Sequence, residues 1–146
     1  MASKNKKSQF KDLDLEISFC EGLLEKNPDF IPALIALGDA YTKKRLYKKG
    51  LLIDIKLAKL KPADETIRYN LACSYSLAGK IEEALAELKS AIKLGYWNFD
   101  YIEKDPDLEN LRKDPSYSQI TLLFKKRDRQ KNAALNPKDP ELDSAD

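Results

Sequence analysis

Histidine is absent from this chain of 146 residues, and cysteine, tryptophan and methionine are scarce. Without histidine, the chain lacks the commonest general base of enzymes and the commonest metal ligand of proteins. The two cysteines, Cys20 and Cys73, lie far apart and show no CxxC spacing, so we expect reduced thiols in a cytosolic protein. We therefore predict no enzyme activity, no metal site and no cofactor.

Long apolar stretches are also absent. No run approaches the ~20 apolar residues that a membrane-spanning helix needs. The lysine-rich residues 1–9 are followed by Phe10, Lys11 and Asp12 rather than by an apolar segment, which argues against a signal peptide. Lys and Arg number 26 against 24 Asp and Glu, so no strong net field selects a nucleic acid or a membrane. We expect a soluble, cytoplasmic protein.

What the sequence does contain is a pattern that repeats after about 34 residues, a period typical of stacked helix–turn–helix units. Within each unit, apolar residues recur at the spacing of one helix face. The equivalent residues are Pro28 and Pro62, Leu37 and Leu71, Gly38 and Ala72, and Tyr41 and Tyr75. Over residues 12–96 the pattern resembles the tetratricopeptide repeat, whose small residue allows two helices to approach closely while its Tyr packs over the joint.

The resemblance implies an all-α fold, a right-handed α–α superhelix with two complete helix pairs. The predicted pairs are Ile31–Lys44 with Leu46–Lys61, and Asp64–Ala78 with Ile81–Leu94, preceded by a lone helix over Asp12–Lys26. The helical domain is expected to span residues 10–127. We expect a disordered basic segment over residues 1–9 and a flexible, acidic-ended tail over residues 128–146.

After Leu94 the repeat ends and a different pattern begins. Asp105-Pro106 and Asp114-Pro115 each favour a helix start, because Asp caps free N–H groups and Pro suits the first turn. This DPDLxxLRxDP phrase looks like the closing segment of small bacterial tetratricopeptide proteins, and a stack of repeats needs such a cap. Six cap residues are predicted to be largely buried: Trp97, Phe99, Leu108, Leu111, Tyr117 and Ile120.

In this architecture the first helix of each pair lines a concave groove, which is where partners commonly bind. Its predicted non-core positions are Ile35, Asp39, Thr42, Thr66, Tyr69, Cys73 and Ser76. The alternative is that these side chains are merely solvated. Ile35 and Tyr69 are one period apart and are predicted to form a shelf for an extended peptide or a helix. Asp39 favours a basic or amide-rich partner, and only Asn70 matches the family's carboxylate-gripping residues.

The helix over Leu46–Lys61 carries more apolar residues than one face needs. Asp54 falls inside its apolar arc, and we predict a contact with Arg68 on the next helix. The alternative is a register shift that exposes both. Leu52 and Ile55 are then expected to point outward, as a convex contact surface for a partner or a second copy.

The expected function is protein–protein interaction, as a small adaptor or assembly factor without catalytic activity. Two alternatives remain open. Basic clusters at residues 43–49 and 125–131 suit contact with nucleic acid or a ribonucleoprotein, although such clusters commonly serve only solubility and helix ends. Self-association through Leu52 and Ile55 would make the chain a structural protein.

Overall fold

The computed structural model describes residues 5–135, and within that range the fold is all-α, as predicted. No strand occurs in this part of the chain. The helices are α1 Lys6–Lys26, α2 Ile31–Lys43, α3 Tyr47–Leu60, α4 Glu65–Leu77, α5 Ile81–Leu94, α6 Phe99–Lys104, α7 Glu109–Arg112 and α8 Ser118–Leu135, with 3-10 turns at Pro106–Leu108 and Pro115–Tyr117. The right-handed superhelix remains a prediction.

The first and last helices extend further along the chain than predicted. The first helix was expected to begin at Asp12, but α1 begins at Lys6 and includes residues 6–9 of the segment predicted to be disordered. Asn5 precedes it as the N-cap, its side chain accepting from the backbone N–H of Lys7. At the other end, α8 continues to Leu135, beyond the predicted start of the tail at residue 128. Residues 1–4 and 136–146 lie outside the described residues.

The turns inside the two helix pairs are equivalent, although their residues differ. Gly79, between α4 and α5, has a φ of 74°, which glycine adopts without steric cost. Arg45, at the same place between α2 and α3, has a φ of 62°, a value rarely adopted by a residue with a β-carbon. Gly95 ends α5 in a left-handed conformation, as predicted for a C-terminal glycine.

Consecutive helices pack on one another, and α4 lies at the centre of the stack. It packs against α3 and α5, and the cap segment around Pro106–Leu108 and α7 covers part of it as well. The largest apolar cluster joins α4 and α5 to the cap through Leu88, Ile92, Ile102 and Ile120. The core therefore lies towards the C-terminal half of the described chain.

Burial of the predicted cap is confirmed for Leu108, Leu111, Tyr117 and Ile120. It is wrong for Trp97, which stays 37% exposed, and Phe99 is only half-buried. The reason for the difference lies in α8. Its Arg127 stacks over the Trp97 ring at 3.8 Å from the centroid, and its Phe124 meets the same ring edge-on at 5.6 Å, so the indole lies at the surface of the core.

The predicted contact between Asp54 and Arg68 is also wrong, and each side chain has a different partner. Asp54 is buried and accepts a hydrogen bond from the Ser74 hydroxyl of α4. Arg68 donates to Glu87 of α5, with Nη1 at 3.1 Å from Oε2, and its Nε donates to the Pro62 carbonyl at 2.9 Å. The two side chains therefore connect α4 to different neighbours, α3 and α5.

Candidate functional site

An open cleft of about 540 Å³ runs along α2 and α4 and is closed at one end by the cap. We call it the α2–α4 groove. Six of the seven predicted groove residues line it: Ile35, Asp39, Thr42, Thr66, Tyr69 and Cys73. The groove also includes residues of α1, α3 and the cap. The spacing of one repeat therefore did bring side chains of two helices to one surface.

Ser76 is the predicted groove residue that does not line the groove. It is fully buried, and its hydroxyl accepts a hydrogen bond from the backbone N–H of Leu111 at 3.1 Å. Its carbonyl accepts from the Asn110 side chain at 2.9 Å. The prediction that Ser76 is a non-core position is wrong, because the cap lies on top of it.

Tyr69 and Cys73 line the groove but are buried, which corrects their prediction as non-core positions. The Tyr69 ring stacks on Tyr96 with centroids 4.0 Å apart and planes 7° from parallel. Its hydroxyl donates to Asp105 Oδ2 at 2.5 Å, and the Cys73 thiol lies 3.7 Å from the same oxygen. Burial raises the pKa of both Tyr69 and Cys73. Both residues therefore form the floor of the groove.

Six acidic or aromatic groove residues were missed by sequence reasoning: Glu16 of α1, Asp54 of α3 and four residues of the cap segment. The aromatic cluster after Gly95 was noticed, but the pattern there has no period that would assign its members to a surface. Asp105 was recognised only as a helix cap, and its second oxygen proves to hold Tyr69. The four missed residues of the cap are Tyr96, Tyr101, Asp105 and Asp107.

The groove's lining is acidic. Five carboxylates line it, from Glu16, Asp39, Asp54, Asp105 and Asp107, and no Lys or Arg of the described chain does so. Burial raises the pKa of Asp54 from 3.8 to about 6, although the Ser74 hydrogen bond lowers it and Asp39 raises it further. Burial likewise raises the pKa of Asp107, with added repulsion from Asp105 and Asp39. Repulsion between neighbouring carboxylates therefore disfavours the charged forms of Asp54 and Asp107.

One of these carboxylates has a cation nearby. Asp39 forms an exposed ion pair with Lys43, one turn further along α2, with 2.8 Å between Oδ2 and Nζ. An exposed pair of this kind contributes little energy and opens readily. Asp39 therefore stays accessible to a competing cation from a partner.

Of the two residues predicted to form a convex contact surface, only Leu52 is exposed. Leu52 is 67% exposed, whereas Ile55 is half-buried and packs against the cluster formed by α3 and α4, so the expectation that Ile55 points outward is wrong. Leu52 lies at the edge of a second cleft, rimmed by Arg45, Lys48 and Lys80.

The basic cluster around residues 43–49 is partly neutralised. Lys43 pairs with Asp39, and Lys44 pairs with Asp14 of α1. Lys49 lies 5.7 Å from the centroid of the Tyr41 ring. Part of this cluster therefore already serves contacts within the stack.

Two properties of the described residues bear on the remaining predictions. Within residues 5–135, no helix is long and apolar enough to cross a membrane. In the same range, no group of three or more Cys, Asp or Glu side chains is arranged as a metal-binding cluster.

Comparison with known proteins identifies a family and one relative. The model of a family described as the A/B hydrolase-like, N-terminal domain matches residues 41–133. A chloroplastic protein from Arabidopsis thaliana is 33% identical over 90 residues, which are 60% of this chain and 27% of that protein. The chain thus spans about a quarter of the relative's length. No solved structure matches the chain.

These matches correct the family inferred from the repeat. The tetratricopeptide assignment, including the small bacterial type with a closing segment, is wrong, because the matching family is a different one. The 34-residue offset still describes two helix pairs whose turns coincide at Arg45 and Gly79. It reflects how the helices stack and does not establish descent.

Proposed function

This chain belongs to the A/B hydrolase-like N-terminal domain family, and we propose that it is a non-catalytic interaction module whose α2–α4 groove binds a basic segment of another protein. The observation that carries the proposal is the lining of that groove, with five carboxylates and no Lys or Arg from the described chain. Charge complementarity of this kind selects a partner and increases its association rate more than it adds affinity.

The shape of the groove supports a peptide rather than a small metabolite. It is open along its length, and apolar side chains stand at two places along it, Ile35 on α2 and Tyr101 on α6. Both are exposed, so apolar residues of a bound segment would cover them. Tyr69, held by Asp105 and Tyr96, supplies a rigid floor to the groove. Rigid aromatic side chains bind at low entropic cost.

A binding role also agrees with the chemistry that the chain offers. The sequence of 146 residues contains no histidine, and the groove thiol of Cys73 has its pKa raised well above the ordinary value, mainly by burial. A thiol with a raised pKa is a poor nucleophile at neutral pH. We therefore assign the groove carboxylates to recognition of a partner.

The cytoplasmic location expected from the sequence stays a prediction, because the Arabidopsis relative is named as a chloroplastic protein.

The test uses two synthetic peptides of equal length, one alternating lysine with leucine and one alternating glutamate with leucine. Fluorescence anisotropy at low and high salt should show binding of the lysine peptide only, weakened by salt. Asp39→Lys should weaken that binding about tenfold, since it replaces an attraction by a repulsion at the groove. Its matched control is Asp29→Lys, because Asp29 is also exposed and paired with a lysine, Lys56, but lies outside the groove.

Equal binding of both peptides, or equal loss in both variants, would contradict the proposal. Binding of a single-stranded RNA oligonucleotide would favour the second candidate, nucleic-acid contact through the cleft of Arg45, Lys48 and Lys80. That outcome requires a steep salt dependence that Lys48→Glu flattens, because each phosphate contact adds to the salt slope.

A further inference from the structure

Helix α1 has a second apolar face that no other part of the described chain covers. Its first face packs on α2 through Ile17 and Cys20, which are buried. Leu15 and Phe19 point the other way and are 65% and 68% exposed. With about 100° per residue, these two side chains lie on the side of the helix that faces away from α2. Exposed apolar side chains one turn apart are typical of a helix-packing surface.

Gly22 continues this face one turn further along. A β-carbon placed there would meet nothing within 4 Å, so the position opens outward and leaves a shallow gap beside Phe19. A glycine on a helix face leaves room for a side chain from a facing helix. Leu15, Phe19 and Gly22 together are called the outer face of α1.

The charges beside the outer face are ordered along the helix. Lys11 lies near its start and Glu25 near its end, on the same flank of the face. Neither forms an ion pair with another described residue. The acidic side chains of α1 on its inner side are engaged, because Asp14 pairs with Lys44 and Glu21 accepts from the Tyr41 hydroxyl at 2.8 Å. A flank with a cation at one end and an anion at the other complements an antiparallel copy of itself.

The register of such a pair follows from the positions of these residues. Centred between Ser18 and Phe19, an antiparallel copy sets Leu15 opposite Gly22 of the second chain. The same register sets Lys11 within one residue, about 1.5 Å along the axis, of the level of Glu25. Both Phe19 side chains then lie next to the two-fold axis. In this one register, Leu15 of each chain enters the gap at Gly22 of the other, and Lys11 of each chain lies close to Glu25 of the other. The two halves are equivalent, as an isologous interface requires.

We propose that the chain forms a homodimer through the outer face of α1, with the two helices antiparallel. The partner that fits is a second copy, because the charges on this face complement their own reversed order. The interface lies on α1, away from the cap end of the stack, and is independent of the peptide binding proposed above.

Sedimentation velocity over a range from micromolar to millimolar chain is the test. We expect a reversible dimer that Phe19→Glu weakens at least thirtyfold, since the change buries two carboxylates at the axis. The matched control is Leu52→Glu, because Leu52 has the same exposure on α3. Circular dichroism melts should show both variants folded like the parent chain.

Charge exchange tests the register. Lys11→Glu and Glu25→Lys should each weaken the dimer about fivefold to tenfold, and the double variant should restore it, because both ion pairs reform with reversed sign. A chain that stays monomeric at millimolar concentration would overturn the proposal. So would a dimer lost with Leu52→Glu and kept with Phe19→Glu, or one whose double charge variant is no better than the singles.

Discussion

Replacing Asp54 by Asn should change how the stability of the fold depends on pH. Asp54 is buried, and its pKa rises from 3.8 to about 6, chiefly through burial. The folded chain therefore holds this proton more tightly than the unfolded chain does. The stabilisation is fully present below pH 3.8 and is lost as the pH rises through about 6, with the loss concentrated between those two values.

The size of the effect follows from the shift in the pKa of Asp54 between the unfolded and the folded chain. The difference between 3.8 and about 6 corresponds to about 3 kcal/mol of lost stability above both values. Asn keeps an acceptor for the Ser74 hydroxyl and carries no charge to bury. Its amide nitrogen would stand near Gly38 without a described acceptor, which offsets about 1–2 kcal/mol. The expected net gain for Asp54→Asn at neutral pH is about 1–2 kcal/mol.

Urea unfolding followed by circular dichroism, at a series of pH values from about 4 to 7.5, measures both quantities. The parent chain should lose stability across this window, and Asp54→Asn should flatten the loss. The free energy of unfolding of Asp54→Asn should still fall somewhat as the pH rises, because burial also raises the pKa of Asp107. Asp29→Asn, at an exposed place outside the groove, serves as the control. Parallel profiles for the parent chain and Asp54→Asn would refute the reasoning.

Three further perturbations test contacts described above. Tyr69→Phe removes the donor to a buried carboxylate of Asp105, so the free energy of unfolding should fall by about 1–3 kcal/mol in a urea titration. A double-mutant cycle on Arg68 and Glu87 should give a coupling of about 0.5–1 kcal/mol, discounted because both side chains are partly exposed to solvent; zero coupling would contradict their ion pair. A chain cut after Gly95 exposes the apolar cluster of α5 and should aggregate or lose its cooperative melt, whereas a monomer with a cooperative melt would show that the cap is dispensable.

Helical periodicity predicted the repeat region well because α2 to α5 each bury one apolar face against a neighbour. The range predicted for the last of these, Ile81–Leu94, is the range of α5 in the structure. Asp64 was recognised as an N-cap, and its side chain does accept from the Ile67 N–H at 3.0 Å. Local patterns of this kind depend on residues within a turn or two, which the sequence displays directly.

The groove could be predicted only as far as its two helices. Tyr69 and Cys73 were placed on the right surface, but their burial depends on Tyr96 and Asp105, which the chain reaches only after leaving the repeat. No spacing rule connects those positions. The partners of Asp54 were missed for a related reason, because several polar side chains of α4 compete for it and only the packed geometry selects Ser74.

The same limit explains the error in family assignment. A small residue at Gly38 followed by Tyr41 meets a physical need, since Gly38 lies where an added β-carbon would come within 3.0 Å of Asp54 Oδ1. Any pair of helices that approach this closely needs a small residue at the joint. Chains of different descent can therefore show the same pattern.

The central position of α4 has a consequence for how the molecule opens. It is enclosed by α3, α5 and the cap, whereas α1 has its main contact with α2. Amide protons in the middle of α4 should therefore exchange with solvent only when the whole chain unfolds, while those of α1 exchange through a smaller, local opening. If two chains associate through α1, that opening becomes rarer as the concentration rises, so the exchange rate of α1 would report the association.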